Sequence, residues 1–271
     1  MQRKQTHFIQ ALARGLSILQ AFSSDRPSLT LSQIADLTGM NRTAVQRFTD
    51  TLVELGFLVR NRHKEFFLGP QVLSLGYAYL GSSQLRRLAG TYLNQAAERL
   101  GCTMNLAILD DLDVIFVHRH EVRRFLKFDL QPGSKLPAQL TASGKVLLAA
   151  LADGDLRQRL TRMDLQPVTA NTIVDREALW QDLLQCRETG LGVCDRELSL
   201  DLYSLGVPLL NAVPQVVAAV NLSMPAGDHP GPLWEQRRQA LLALGRELSA
   251  LFGYQGPYPL MPTGLSQGGL L

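Results

Sequence analysis

Cysteine is scarce: three in 271 residues, Cys102, Cys186 and Cys194. They are odd in number and not spaced as a metal cluster, which argues against a disulfide framework and fits a reducing cytosol. No apolar run approaches the length needed to span a bilayer, and the opening MQRKQTHFIQ has no apolar signal core. A soluble, cytoplasmic protein is expected. Charged residues are few, 19% against 46% hydrophobic, with a net charge of +3. That excludes general disorder and leaves room for two packed domains. Catalytic signatures are missing too: there is no G-x-S-x-G, no H-E-x-x-H and no dinucleotide fingerprint. Ser143-Gly144-Lys145 echoes a phosphate loop, but Gln139 stands where the upstream glycine is required. His118 and His120 alternate on a strand with no partner at metal-ligand spacing. No enzyme, metal or cofactor is expected, and no internal repeat is visible.

The charge that is present is unevenly placed. Residues 1–70 hold nine Lys and Arg against five Asp and Glu, whereas the remainder holds 18 against 19. A basic front meets a polyanion, and a near-neutral back does something else. In the front, Ile9, Leu12, Leu16, Leu19 and Phe22 recur at helical spacing, and Arg26-Pro27 breaks that amphipathic helix. Thr30-Leu31-Ser32-Gln33 is a capping box that opens a short second helix, and Gly39 ends it. Asn41 caps a third helix whose apolar stripe is Val45, Phe48, Leu52 and Leu55. Two capped helices across a sharp turn have the layout of a helix-turn-helix. Residues 57–60 and 65–68 read as a hairpin with a basic tip, a wing beside it.

A recognition helix reads base edges in the major groove with its first turns. Here those carry Arg42, Thr43, Gln46 and Arg47. Gln46 and Arg47 are expected at base edges and Thr43 at a base or a phosphate. Ser32 and Asn41, at helix starts, suit phosphates, and Arg60, Arg62 and Lys64 on the wing suit the backbone. Taken singly, Arg42 or Arg47 also reads as an ordinary solvated charge. As a set inside a capped helix-turn-helix they point to duplex DNA.

Pro70 opens an apolar helix bearing Val72, Leu73, Leu75, Tyr77 and Tyr79, suited to a dimer contact or to packing on its own domain. The expected organisation is a winged helix-turn-helix over 1–69, a linker helix over 70–83 and a second domain over 84–253. The stretch 254–271, rich in Gly, Pro, Ser and Gln, is expected to be a disordered tail. Helices are predicted over 85–100, 141–152, 155–162, 175–189 and 233–252. Strands are predicted over 103–109, 113–120, 125–130, 193–195, 205–210 and 216–223. Hairpin-linked strands among helices predict an α+β domain, a sheet with helices on its faces, of the ligand-sensing kind.

Six blocks now carry a resemblance: ALARGLSILQAF (11–22), LTLSQIADLTGMNRTAVQRFTDTLVELGFL (29–58), LGPQVLSLGYAYL (68–80), KLPAQLTASGKVLLAAL (135–151), GVCDRELSLDLYSLGVPL (192–209) and VVAAVNLSMP (216–225). Through them the chain resembles the IclR family of bacterial transcriptional regulators over nearly its full length. Within it, the sequence is most similar to the subgroup controlling β-ketoadipate-pathway genes, which senses 4-hydroxybenzoate, protocatechuate or β-ketoadipate. The resemblance implies a GAF-like effector domain behind the winged helix-turn-helix, and homodimers that pair into tetramers on DNA. Its implied partners are a double-stranded operator, a small aromatic or carboxylic acid and, for an activator, RNA polymerase.

The resemblance also implies a ligand site between the central sheet and the LTASGK helix, at Ala142, Ser143, Cys194, Ser204, Asn221 and Ser223. The residues agree in part. Asn221 and Ser223 lie two apart on a strand and leave the same face, toward a pocket or toward solvent. Ser143 lies in a first helical turn, where free amides favour a carboxylate. Arg119, in the strand VIFVHRH, either pairs with a ligand carboxylate or makes a surface salt bridge. Two departures stand out. Asp201-Leu202-Tyr203-Ser204 replaces the family's Gly-Leu-Arg-Ser, and Cys194 occupies a position that is acidic or small and polar in many relatives, so it reads equally as a small packed hydrophobe. Two other functions stay open on the residues alone: a small-molecule-binding enzyme with an appended interaction domain, and a constitutive DNA-binding protein without an effector.

Overall fold

The computed structural model describes residues 8–23, 25–122, 129–229, 231, 233–261 and 263–265. The chain divides into two compact units, 1–79 and 80–271, each with its own hydrophobic core.

The first unit comprises α1 (Gln10–Gln20), β1 (Ser28–Leu29), α2 (Leu31–Thr38), α3 (Arg42–Glu54), β2 (Leu58–Arg60) and β3 (Phe66–Leu68), and α4 (Pro70–Ser82) begins in it. The capping box forms: the Gln33 amide donates to Thr30 Oγ1 at 3.4 Å, and the Thr30 amide donates to Gln33 Oε1 at 2.8 Å. Gly39 closes α2 at φ 67°, a left-handed conformation that costs a glycine nothing. Asn41 Oδ1 then accepts from the Ala44 amide at 2.8 Å and starts α3. Ile18, Leu29, Ile34, Val45, Leu58 and Phe66 make the core.

Two details differ from the sequence expectation. In α1 the buried residue is Ile18, while Ile9, Leu12 and Leu16 remain exposed. Leu55, expected in the α3 stripe, is exposed, because it is the C-cap and lies past the last turn that faces the core. The strand β1 is an addition to the expected elements. It pairs with β3 in a sheet of order β1-β3-β2, and two residues after a proline carry no strand periodicity to detect.

The second unit holds α5 (Gln84–Leu100), β4 (Thr103–Asp110), β5 (Asp113–His120), β6 (Lys135–Pro137), α6 (Ala142–Ala149), α7 (Asp153–Arg162), α8 (Arg176–Thr189), β7 (Gly192–Asp195), β8 (Leu202–Leu210), β9 (Val216–Pro225) and α9 (Trp234–Leu251). It is the expected α+β arrangement: a six-stranded antiparallel sheet of order β6-β5-β4-β9-β8-β7 with helices packed on it. On β8, Gly206 faces the start of α6, while its neighbour Val207 faces Gly245 of α9, so the two helices lie on opposite faces. The predicted strand over 125–130 falls mostly outside the described residues, and Asp129 and Leu130 are not in a strand.

The expectation of a disordered tail from 254 needs correction. Tyr254, Tyr258 and Met261 are buried in the core of this unit, and the Tyr258 hydroxyl donates to the Pro208 carbonyl at 2.8 Å. Composition suggests disorder because Gly and Pro are frequent here. Three large apolar side chains at intervals nevertheless supply enough burial to order the segment.

Candidate DNA interface and effector site

In the first unit, Ser32, Asn41, Arg42, Thr43 and Arg47 are exposed and Gln46 is half-buried. Among the described residues, Arg42 and Arg47 engage no ion pair, so both are available to an anion. Gln46 Nε2 donates to Asp50 Oδ1 at 2.6 Å, which leaves its carbonyl oxygen and its second N–H free. Asn41 spends its carbonyl oxygen on the cap and keeps its NH2 for a phosphate.

The wing is organised by a residue that sequence reasoning does not single out. Asn61 Oδ1 accepts from the His63 and Glu65 amides at 2.9 and 3.0 Å, and its Nδ2 donates to Glu65 Oε2 at 2.7 Å. This Asx turn brings Arg62 and Lys64 to the exposed tip. Arg60 lies over the Phe66 ring at 5.6 Å. Asn61→Ala is expected to cost about 1–2 kcal/mol and weaken DNA binding several-fold through the loosened tip. Chemical unfolding and gel-shift titration of the variant check both.

In the second unit, strand register sets the site. Arg119 pairs with Asn105, Asn105 with Asn221, Asn221 with Gly206, and Gly206 with Gly192, one row across five strands. The next row is Thr103, Ser223, Ser204 and Cys194. Directly opposed residues share a face, so these side chains stand together under α6. The glycines let the helix come close: a Cβ at Gly192 or Gly206 would lie 2.3 or 2.7 Å from the Ala142 carbonyl oxygen. Beyond the helix start the remaining polar side chains are buried from bulk solvent, and a small cleft forms against them.

Arg119, Ser204, Asn221 and Ser223 line this cleft together with Asn105, Thr141, Phe116 and several leucines. Ala142, Ser143 and Cys194 do not line it. They are fully buried behind its wall, where Cys194 Sγ donates to the Leu140 carbonyl at 3.1 Å. Burial pushes the Cys194 thiol up to about 12, so it remains a packed, neutral group. The Arg119 side chain is only 5% exposed. Its Nη1 donates to Asn105 Oδ1 and its Nη2 to Glu121 Oε1, both at 2.8 Å. Asn221 Nδ2 donates to Ser223 Oγ at 3.1 Å. Arg119 Nε and Asn221 Oδ1 are buried with no hydrogen-bond partner among the described residues. Such orphaned groups are costly unless something completes them. Arg119 thus makes the expected salt bridge, with Glu121, and what remains for a ligand is its unfilled Nε, the free Asn221 oxygen and apolar walls, which suit a small acid that carries a further donor. Sequence reasoning misses Asn105 and Thr141. An asparagine inside an apolar strand and a threonine capping the LTASGK helix are the available signals.

Behind the wall, Lys145 is 1% exposed and lies 2.6 Å from Glu197 Oε1 and 2.9 Å from Asp182 Oδ2. Burial opposes its charge, yet the two carboxylates outweigh it and its pKa is raised. Burial also raises the Glu197 carboxyl, against the pull of Lys145. The Glu197 carbonyl accepts from Thr172 Oγ1 at 2.8 Å. This knot ties α6 and α8 to the segment carrying Leu198, which lines the cleft.

Among the described residues no group of His, Cys, Asp and Glu is placed to hold a metal ion. His118 faces Asn94 Oδ1 at 2.9 Å, and burial, with Arg86 and His120, lowers its pKa. No helix among the described residues is long and apolar enough to cross a membrane.

Comparison with known proteins matches residues 11–62 to the IclR helix-turn-helix domain and residues 77–250 to the bacterial transcriptional regulator IclR C-terminal domain. The Pca regulon regulatory protein of Pseudomonas putida is 39% identical over 249 residues, 91% of this chain and 85% of that protein. The p-hydroxybenzoate hydroxylase transcriptional activator of Acinetobacter baylyi is 33% identical over 219 residues, 79% of this chain and 80% of that protein. A solved putative transcriptional regulator from Rhodococcus sp. RHA1 is 35% identical, with a TM-score of 0.71 over 90% of this chain and all of that one. With a capped helix-turn-helix in front and a polar-lined cleft in the domain behind, the chain belongs to the IclR family of bacterial transcriptional regulators.

Proposed function

We propose that this DNA-binding regulator controls genes of aromatic-compound catabolism from the cytoplasm. Its affinity for a double-stranded operator is set by a small aromatic or carboxylic acid in the Arg119–Asn221 cleft. The observation that carries the acid is the buried Arg119, whose Nε is unfilled beside the equally unfilled Asn221 Oδ1. The named roles of the Pca regulon and p-hydroxybenzoate hydroxylase regulators favour 4-hydroxybenzoate, protocatechuate or β-ketoadipate. Isothermal titration with each acid tests this reading. One of them binds at one per chain, and failure of all three removes the subgroup assignment.

At the DNA end, Arg42, Thr43, Gln46 and Arg47 are the proposed readers, with Ser32, Asn41, Arg60, Arg62 and Lys64 on the backbone. Arg47→Ala is expected to cost about 1–3 kcal/mol of specific binding and leave non-specific binding nearly intact. Gel shifts on operator and scrambled DNA measure the two. Equal losses on both would make Arg47 a phosphate contact.

A second copy of the chain is the proposed partner of the uncovered apolar faces, in dimers and tetramers. Leu73 and Tyr77, four residues apart on α4, are 76% and 78% exposed, a cost the monomer has no reason to carry. The pair L73E and Y77E together should give monomers by sedimentation. Their operator binding should weaken about 100-fold, because the second half-site is no longer linked to the first.

A further inference from the structure

The second unit has another cleft, of about 790 Å³ and partly open to solvent. Thr103, Ser223, Asp228, Leu233 and Arg237 line it, beside the last residues of α5. Ser223 also lines the acid cleft. The Thr103–Ser223 pair sits two residues along the β4–β9 ladder from Asn105–Asn221, a distance of about 7 Å. Thr103 opens β4 and Ser223 lies near the end of β9, so the two clefts, which share Ser223, meet around that end of the sheet.

The outer cleft carries its own unfinished polar groups. Arg237 is 7% exposed. Its Nη1 donates to Asp228 Oδ2 at 3.1 Å and to Met224 Sδ at 3.2 Å. Its Nε, like Thr103 Oγ1, is buried with no hydrogen-bond partner among the described residues. Asp228 is half-exposed and neutralises the arginine only in part.

An acid that is to reach Arg119 must shed most of its water, and a bare carboxylate in an apolar passage is costly. A cation on the way lowers that barrier. We propose that the outer cleft is the vestibule of the inner one. Arg237 receives the carboxylate of an incoming acid, which then passes around the Thr103–Ser223 end of the sheet to Arg119. This rests on the reading of the inner cleft as the acid site. A residue met only in passage alters the barrier and neither end state, so association and dissociation slow by one factor.

Stopped-flow binding of 4-hydroxybenzoate, protocatechuate and β-ketoadipate to the full chain tests the proposal, with calorimetry for stoichiometry. In Arg237→Met and in Leu233→Trp, which narrows the mouth, both rates should fall about tenfold while Kd stays within about twofold. Thr103→Val should slow both rates less. Leu233 is 49% exposed, so Leu233→Trp keeps the test alive should Arg237→Met fail to fold. Unchanged rates, a Kd raised through dissociation alone, or a second acid per chain lost in Arg237→Met each overturn the vestibule. Absence of binding by the unaltered chain overturns the inner-cleft reading and the vestibule with it. Normal Kd with unchanged rates overturns the vestibule alone.

Discussion

Lys145→Met is expected to destabilise the second unit by about 3–5 kcal/mol, a fall of roughly 10 °C in melting temperature. The substitution is close in length, so the loss is not one of volume. It leaves Glu197 nearly buried and Asp182 partly buried with no cation between them. The pH dependence separates this cause from ordinary packing damage. Burial already raises Glu197 above its usual 4.5, and without Lys145 that rise is larger. A carboxyl whose folded pKa is raised contributes stability that is present below 4.5 and lost as pH rises through the folded value. The variant should therefore regain stability toward acid pH, and Glu197→Leu in the same chain should restore part of it at neutral pH. Denaturant titration from about pH 4 to about pH 8 measures both. A uniform loss at every pH would mean that Lys145 matters only for packing.

Arg119→Met is expected to weaken acid binding at least about 30-fold, near 2 kcal/mol, the range for a charge-assisted pair in a dry site. Glu121, 26% exposed, still reaches water in the variant, while the buried Asn105 loses one donor, a cost of about 1–3 kcal/mol that the fold should survive. The operator response should then need at least about 30-fold more acid, since a ligand acts only through unequal affinity for two states and must still bind to act. Calorimetry gives the affinity, and reporter expression with and without acid gives the response. Intact binding in Arg119→Met would move the carboxylate elsewhere in the cleft.

The parts of this molecule that depend on neighbours along the chain are legible from the amino acids alone. The capping box at Thr30, the Gly39 stop and the Asn41 cap each need only a few consecutive residues, and all three form as expected. Asn221 and Ser223 are placed on one face by their spacing. Register is what the residues do not announce. Nothing local says that Asn105 lies opposite Asn221, or that Gly206 and Gly192 align so that α6 can press onto the sheet. Without that row, Ala142 and Cys194 look like cleft residues, and Asn105 and Thr141 look ordinary. Burial misleads in two places. Leu12 and Leu16 have the spacing of a core stripe yet are exposed in this chain, because periodicity reports an apolar face and not what covers it. Tyr258 is hidden by the Gly and Pro around it, although together with Tyr254 and Met261 it supplies the burial that orders the segment.

The proposed function requires that an acid in the Arg119 cleft change how α3 holds DNA. Fluorescence anisotropy on an operator selected from random duplexes tests that coupling, titrating the full chain with and without saturating acid. Binding should be sequence-specific, with a Kd that the acid shifts by about fivefold or more, and Arg119→Met should need at least about 30-fold more acid for the same shift. An acid that binds the chain yet leaves the operator Kd unchanged would refute the coupling.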